Sequence, residues 1–176
     1  MTSSDASDAS GTPNTLATAR LALRELPPAA IRSVLAGRPG TGDRWAEGYP
    51  SGETLGALLR VSRMLLADAY RPGFGLYQIA LRGDGIVGDV VFHTAPDDSG
   101  SVEIGYAVVE SHRGRGIATE AVRALAAWAL EQPGVTAVRA ETEPGNPASR
   151  RVLHKAGFRD AGAGGGMLHH VLTRVS

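Results

Sequence analysis

The segment from Val102 to Ala121, VEIGYAVVESHRGRGIATEA, constrains the fold of this chain more than any other. An apolar stretch leads through a short loop rich in Arg and Gly into a segment whose apolar residues repeat at helical spacing, which predicts a strand, a loop and a helix. The first turn of a helix has backbone N–H groups without intrahelical partners, together with the positive end of the helix dipole. A loop of this kind is typical of anion sites. The predicted donors are the backbones of Gly114, Arg115, Gly116, Ile117 and Ala118, with Arg113 and Arg115 adding charge.

Three other phosphate or nucleic-acid motifs fit this loop poorly. A Walker A loop needs GxxxxGK[ST], and the sequence has none. A dinucleotide site needs GxGxxG, but Thr119 stands where the third glycine would be, and three strands of antiparallel pattern precede the loop instead of a βαβ unit. RNA-binding Arg–Gly segments are repetitive and disordered, whereas this loop joins a strand to a helix.

The composition narrows the class of protein. Eighteen basic residues balance eighteen acidic ones, so no overall positive field attracts nucleic acid or anionic lipid. The absence of cysteine excludes a disulfide framework, a thiolate metal site and a cysteine nucleophile. Since neither a signal peptide nor a membrane-spanning stretch is evident, we expect a cytoplasmic protein without a nucleic-acid or membrane partner.

The remaining periodicity predicts one α/β domain. Residues 1–17 contain almost nothing to bury and are expected to form a flexible tail, while residues 18–176 form the domain. The predicted order of elements is β α α β β β α β α β β. Trp45 and Tyr49 fall in a loop, where they either cover the core or line a substrate entrance. The run 161–166, AGAGGG, predicts a hairpin turn or a mobile lid.

Two motifs in the right order resemble the GNAT superfamily of N-acetyltransferases. RGRGIA at 113–118 is similar to the [QR]-x-x-G-x-[GA] signature, and the segment from Asn146 to Phe158 resembles its NxxSxxxxxxxGF pattern. The resemblance spans roughly Arg20 to Val175 and is nearest to the branch of ribosomal-protein N-terminal acetyltransferases.

This resemblance implies a fold and a reaction. The fold is a central, mixed but mostly antiparallel, twisted sheet of about seven strands flanked by about four helices. The reaction is transfer of an acetyl group from acetyl-CoA to a primary amine on a small molecule or a protein N-terminus, and a homodimer is a family expectation. Without cysteine, direct attack in a ternary complex is favoured over an acyl-enzyme. The implied acetyl-CoA-binding residues are Val108, Val109 and Glu110 through their backbones, then Arg113, Gly114, Arg115, Gly116, Ile117, Ala118, Thr119, Asn146 and Ser149.

Glu103 is the first candidate for the base that accepts the amine proton. Strand alternation places it on one face with Gly105 and Ala107, whose small side chains leave space beside the carboxylate. The competing interpretation is an exposed strand-edge Glu paired with an Arg. Glu141 and Glu143 are the alternative bases.

The proton for the departing thiolate is harder to assign. The family most often uses a tyrosine after the second motif, but no Tyr follows Tyr106 in this chain. The resemblance implies Ser149 in its place, with acid from solvent as the alternative. Asn146 precedes Pro147, an ordinary helix N-cap pair, so it either caps the helix, contacts the ligand or does both.

Two further hypotheses remain. The missing tyrosine is compatible with a CoA-binding sensor or partner module that has lost catalysis. A nicotinamide-dependent oxidoreductase would require the dinucleotide interpretation of the loop. The five histidines lack HExxH spacing, and His169 and His170 point to opposite faces of a strand, so we expect no metal site.

Overall fold

The elements follow the predicted order, with one strand added at the N-terminal end. The computed structural model describes residues 13–174. In chain order the elements are β1 (Thr15–Ala17), β2 (Leu21–Glu25), α1 (Pro28–Leu35), α2 (Gly52–Leu66), β3 (Leu76–Leu81), β4 (Gly85–Phe92), β5 (Ser101–Val108), a 3-10 turn (Glu110–His112), α3 (Ile117–Glu131), β6 (Ala137–Thr142), α4 (Pro147–Ala156), β7 (Arg159–Gly164) and β8 (Met167–Thr173).

The end of the predicted tail is part of the sheet. Residues 1–12 lie outside the described residues, but Thr15–Ala17 form β1, antiparallel to β2 with Leu16 opposite Leu23. Leu16 packs against the core, and the Asn14 N–H donates to Glu25 Oε2 at 3.0 Å. The prediction of a tail through residue 17 was therefore wrong at its end, because one leucine and a backbone ladder suffice for an edge strand.

The sheet is mixed and mostly antiparallel, as predicted. Its eight strands lie in the order β1-β2-β3-β4-β5-β6-β8-β7. Every neighbouring pair is antiparallel except β5 and β6, which are parallel. A parallel pair needs a long crossover connection, and the segment that contains α3 supplies it.

The parallel pair separates soon after it begins. β5 and β6 are paired only at Ser101–Ala137, Val102–Val138 and Glu103–Arg139. The remaining residues of β5, up to Val108, pair with β4 alone. The sheet therefore opens between β5 and β6 at the end where β5 leads into the Arg–Gly loop.

Helices cover both faces of the sheet. In β4, Val91 joins an apolar cluster with α1 and α2, whereas its neighbours Val90 and Phe92 join the larger cluster that includes α3. Since successive strand residues point to opposite faces, α2 and α3 lie on opposite sides of the sheet. No helix among residues 13–174 has the length and apolar character needed to cross a bilayer.

Candidate functional site

The loop between β5 and α3 leaves the start of α3 uncapped. Gly116 is the N-cap residue and has a left-handed φ of 76°, a conformation that an L side chain adopts only with strain. No side chain from residues 13–174 caps this helix, and the Glu120 N–H donates to the Gly116 carbonyl. The N–H groups of residues 116–119, in the first turn of α3, therefore lack intrahelical partners. Anion binding by these groups stays a prediction from the sequence.

Two arginines hold this loop in place. Arg20 binds Glu120 Oε2 through Nε at 2.7 Å and donates to the Arg115 carbonyl at 2.9 Å. Arg113 donates from Nε to the Val108 carbonyl at 2.9 Å, which joins the loop to the end of β5. The role of Arg20 had no signal in the sequence, because the residues that it contacts lie about a hundred positions away.

The edge of β5 that faces the opening carries backbone donors that are not bonded to any strand in the described part of the chain. The Val109 N–H donates to the Val87 carbonyl on β4 at 2.9 Å, and the His93 N–H donates to the Glu103 carbonyl at 2.8 Å. In an antiparallel ladder the intervening residues direct their backbone groups to the other edge, so the N–H groups of Tyr106 and Val108 point toward β6. Of the predicted backbone donors, Val108 fits this position, while Val109 does not because its N–H is already bonded.

Helix α4 begins at the same opening. The Asn146 side chain caps it by accepting from the Ser149 N–H at 3.0 Å. Arg151 and Lys155 lie on the side of α4 that faces the loop. These two cations were missed, although their spacing of four residues places them on one helix face.

A cleft of about 360 Å³ lies between the loop and α4. Eight of the residues expected to bind the cofactor line it, whereas Val109, Glu110, Arg115 and Ile117 do not. The Ile117 side chain is buried in the core, so only its backbone can take part in binding. The eight lining residues are Val108, Arg113, Gly114, Gly116, Ala118, Thr119, Asn146 and Ser149.

A second cleft, of about 340 Å³, lies between α2 and strands β4 to β6. Three acidic side chains line it, those of Glu53, Asp89 and Glu141. The basic side chains in its lining are Arg60 and His93. Glu141, the alternative base, faces this cleft and lies 3.1 Å from His169 Nδ1. Glu143 is not among the lining residues.

Glu103 is paired with a histidine, not with an arginine. His93 Nδ1 lies 2.6 Å from Glu103 Oε1, and this hydrogen bond lowers the pKa of Glu103 below its usual value. An ionised carboxylate only accepts hydrogen bonds, so Nδ1 carries the imidazole proton and Nε2 is left as a proton acceptor. Nε2 lies over Gly105, where an added Cβ would be 2.5 Å from it. His93 was missed because its pairing depends on the β4–β5 register.

Asp89 is a carboxyl group buried at the second cleft, with 1% of its surface exposed. Burial raises its pKa to about 7. Thr54 Oγ1 donates to Asp89 Oδ2 at 2.5 Å, which opposes that rise. A buried carboxyl group with a pKa near neutrality is typical of functional sites.

The two clefts meet at the opening between β5 and β6. They share Glu53, Tyr106, Ala107 and Ser149. The Tyr106 hydroxyl donates to the Ser149 carbonyl at 3.3 Å, and burial raises the pKa of Tyr106, so the hydroxyl stays protonated at neutral pH. A group held in one cleft can therefore reach a group held in the other.

Trp45 and Tyr49 pack in and against the hydrophobic core. Their rings pack edge to face at 5.4 Å, and Tyr49 is buried and accepts a hydrogen bond from Gln78. Neither ring lines the two clefts. Of the two interpretations of this loop, the structure favours core coverage.

Two of the five histidines form a cluster with an aspartate. His169 and His170 do point to opposite faces, since His169 contacts Glu141 while His170 is buried. However, His154, Asp160 and His170 bring three potential ligand atoms within 4.8 Å of one another. The spacing of the histidines did not indicate this cluster, because its residues meet only through the fold of α4, β7 and β8.

Comparison with known families identifies the family of the chain. Residues 20–159 match the acetyltransferase (GNAT) domain. The chain belongs to the GNAT acetyltransferase family. Among curated relatives, the uncharacterized N-acetyltransferase YjdG of Bacillus subtilis is 32% identical over 111 residues, which cover 62% of this chain and 66% of YjdG. The chain thus spans just under two thirds of the length of that relative.

Solved structures share the GNAT fold. An acetyltransferase from Agrobacterium tumefaciens superposes with a TM-score of 0.64 at 24% identity, covering 92% of this chain and 95% of that chain. RimL, a ribosomal L7/L12 alpha-N-protein acetyltransferase solved in complex with coenzyme A, gives a TM-score of 0.63 at 16% identity, covering 91% and 98%. At these identities the likeness concerns the fold alone.

The buried Asp89 predicts a specific pH dependence of stability. Its pKa is about 7 in the folded protein and about 3.9 in an unfolded chain, so between these values the folded state binds more protons. The free energy of unfolding should therefore fall as pH rises from about 4 to 7. Asp89→Asn removes this carboxyl group. The free energy of unfolding of the variant, minus that of wild type, should therefore increase by about 2–3 kcal/mol from pH 5 to pH 8.

Urea unfolding of both proteins at the two pH values measures this difference. The exposed Asp98→Asn substitution serves as the control and should show a difference that is nearly independent of pH. If the difference in unfolding free energy between Asp89→Asn and wild type is the same at both pH values, the raised pKa of Asp89 is contradicted.

Proposed function

We propose that this protein transfers the acetyl group of acetyl-CoA to a primary amine by direct attack in a ternary complex. One observation carries the proposal: a cleft at an uncapped helix start meets a second, acid-lined cleft at Tyr106, Ala107 and Ser149. Membership of the GNAT family supports the same reaction.

Acetyl-CoA occupies the first cleft in this proposal. Its pyrophosphate lies at the start of α3, where first-turn N–H groups and Arg113 face an anion. Arg151 and Lys155 supply further positive charge from α4. The pantetheine arm follows the open edge of β5, and the N–H groups of Tyr106 and Val108 donate to the arm and the thioester carbonyl.

The amine occupies the second cleft. The carboxylates of Glu53 and Glu141 attract an ammonium group, which must lose a proton before it can attack. His93 Nε2 accepts that proton, and Glu103 orients and stabilises the resulting imidazolium. Glu103 therefore acts through His93 instead of taking the proton itself.

The transfer step requires one bond to form and one to break. The neutral amine nitrogen attacks the thioester carbon, the C–N bond forms, and the C–S bond breaks with release of the CoA thiolate. The nitrogen gives up its second proton in this step, which balances the proton that the thiolate takes up. Ser149 and Tyr106 are the two hydroxyl groups at the junction that can protonate this thiolate. Ser149→Ala and Tyr106→Phe separate their contributions.

The acceptor belongs to the class of primary amines. Structural neighbours include an enzyme named for a ribosomal protein N-terminus and a chimera of a spermidine N-acetyltransferase. A protein N-terminus and a small cationic amine are the two acceptor types to test first.

Gly116→Val should weaken acetyl-CoA binding roughly tenfold or more, or about 1.4 kcal/mol. The left-handed φ of 76° is strained for a β-branched residue, and a side chain there crowds the approach of the phosphates. Calorimetry with acetyl-CoA measures the change.

Gly37→Val is the matched control. Gly37 also has a left-handed φ, 69°, at a helix end, but it lies outside the clefts. It should lower stability while leaving the affinity for acetyl-CoA intact. An unchanged affinity in folded Gly116→Val would argue against this phosphate position.

Glu103→Gln and His93→Gln should each reduce the acetylation rate about a hundredfold or more, the usual contribution of a general base. Because the two residues act as one unit, the double variant should lose little more than either single variant. The chain has no cysteine, so a thiol reagent reports released CoA without background from the protein.

The acetylation assay is run with a panel of primary amines. The affinity for acetyl-CoA should stay near wild type in the two single variants and in the double variant. Glu141→Gln, in the second cleft, should raise the KM for the amine while keeping most of kcat, which separates attraction of the ammonium group from proton transfer. If Glu103→Gln keeps the wild-type rate and pH profile while Glu141→Gln loses activity, the base is Glu141.

A further inference from the structure

Three side chains on separate elements converge on one point at the C-terminal side of α4. His154 lies near the end of α4, Asp160 is in β7, and His170 is in β8. His154 Nε2 lies 2.7 Å from Asp160 Oδ1, and His170 Nδ1 lies 3.1 Å from the same oxygen. Two imidazoles and one carboxylate oxygen thus share a small volume.

His170 is the unusual member of this cluster. Its side chain is only 1% exposed, and among residues 13–174 the one polar side chain facing its Nδ1 is Asp160, whose Oδ1 lies 3.1 Å away but outside good hydrogen-bonding geometry. Its Nε2 lies 2.9 Å from the Thr142 hydroxyl. A buried ring nitrogen without a partner is costly, so a ligand for it is expected.

The Thr142 contact is compatible with either tautomer of His170, and one of the two leaves Nδ1 ready to bind a cation. When Nε2–H donates to Thr142 Oγ1, Nδ1 carries a lone pair that faces the Asp160 carboxylate. Two acceptors facing each other repel unless a cation lies between them. Histidine ligands of metals commonly donate their other N–H to a neighbouring oxygen in this way.

We propose that His154 Nε2, Asp160 Oδ1 and His170 Nδ1 form a site for a divalent transition-metal ion of the zinc type. Imidazole and carboxylate ligands favour Zn²⁺ over Mg²⁺ or Ca²⁺, which prefer sets of oxygen ligands. Zinc lies about 2.0–2.1 Å from each ligand, so neighbouring ligand atoms are roughly 3.3 Å apart. His154 and Asp160 are both exposed, so their side chains have room to adjust from the present distances of 2.7 and 3.1 Å to that spacing.

The site is separate from the proposed reaction. None of its three ligands lines the two clefts, although Thr142, which contacts His170, forms part of the wall of the second cleft. A bound ion would therefore tie α4 to the β7–β8 hairpin and hold the ring that supports Thr142. Acetyl transfer does not require the ion, so the two proposals fail independently.

Calorimetric titration of untagged, chelator-treated protein with Zn²⁺ tests the site. Wild type should bind one equivalent, and its melting temperature should rise with added Zn²⁺ because the folded state alone presents the three ligands together. Co²⁺ in place of Zn²⁺ should produce visible absorption bands. His154→Ala and Asp160→Asn, both at exposed positions, should each lower the Zn²⁺ affinity at least tenfold.

His169→Gln is the matched control. It is the neighbouring histidine on β8, on the opposite face and paired with Glu141, and its removal should leave Zn²⁺ binding unchanged. The proposal is overturned if wild type binds no Zn²⁺, if either ligand variant keeps wild-type affinity, or if His169→Gln abolishes binding.

Discussion

The separation of β5 from β6 is the feature on which the rest of the site depends. Parallel pairing ends at Glu103–Arg139, so the N–H groups of Tyr106 and Val108 are left without a strand partner among the described residues. Buried backbone donors need partners, and an open strand edge inside a sheet binds extended ligands by the same hydrogen bonds that join strands. In the proposed complex, the opening supplies the binding groups for an arm of the cofactor without any specialised side chain.

The groups around this opening are held by contacts from distant parts of the chain. Arg20, from the N-terminal side, fixes the Arg–Gly loop through Glu120 and the Arg115 carbonyl. The His93 ring is aligned by Glu103 on the neighbouring strand. The buried Asp89 carries a cost in stability at neutral pH, which is the kind of compromise found where a binding or catalytic site takes precedence over stability.

The parts of the site that could be predicted from the sequence are those encoded locally. The loop RGRG before a helix and the Asn–Pro pair at Asn146 are short motifs whose backbone geometry follows from neighbouring residues. His93, Tyr106 and the His154–Asp160–His170 cluster depend instead on strand register and on packing between elements far apart in the chain. Val109 illustrates the limit: the family resemblance implied a backbone donor at this position, but the pairing with β4 occupies its N–H. β1 was missed because three residues carry too little pattern to predict a strand.

The most direct test of this account is an NMR titration of the protein with acetyl-CoA, following backbone amide resonances. Hydrogen bonds from an open β5 edge and an uncapped α3 should shift the amides of Tyr106, Val108 and residues 116–119, while Val109, bonded to β4, should change much less. Saturable shifts at Tyr106 and Val108, with little change at Val109, would support the opening as the cofactor site. Binding that leaves Tyr106 and Val108 unchanged would contradict it.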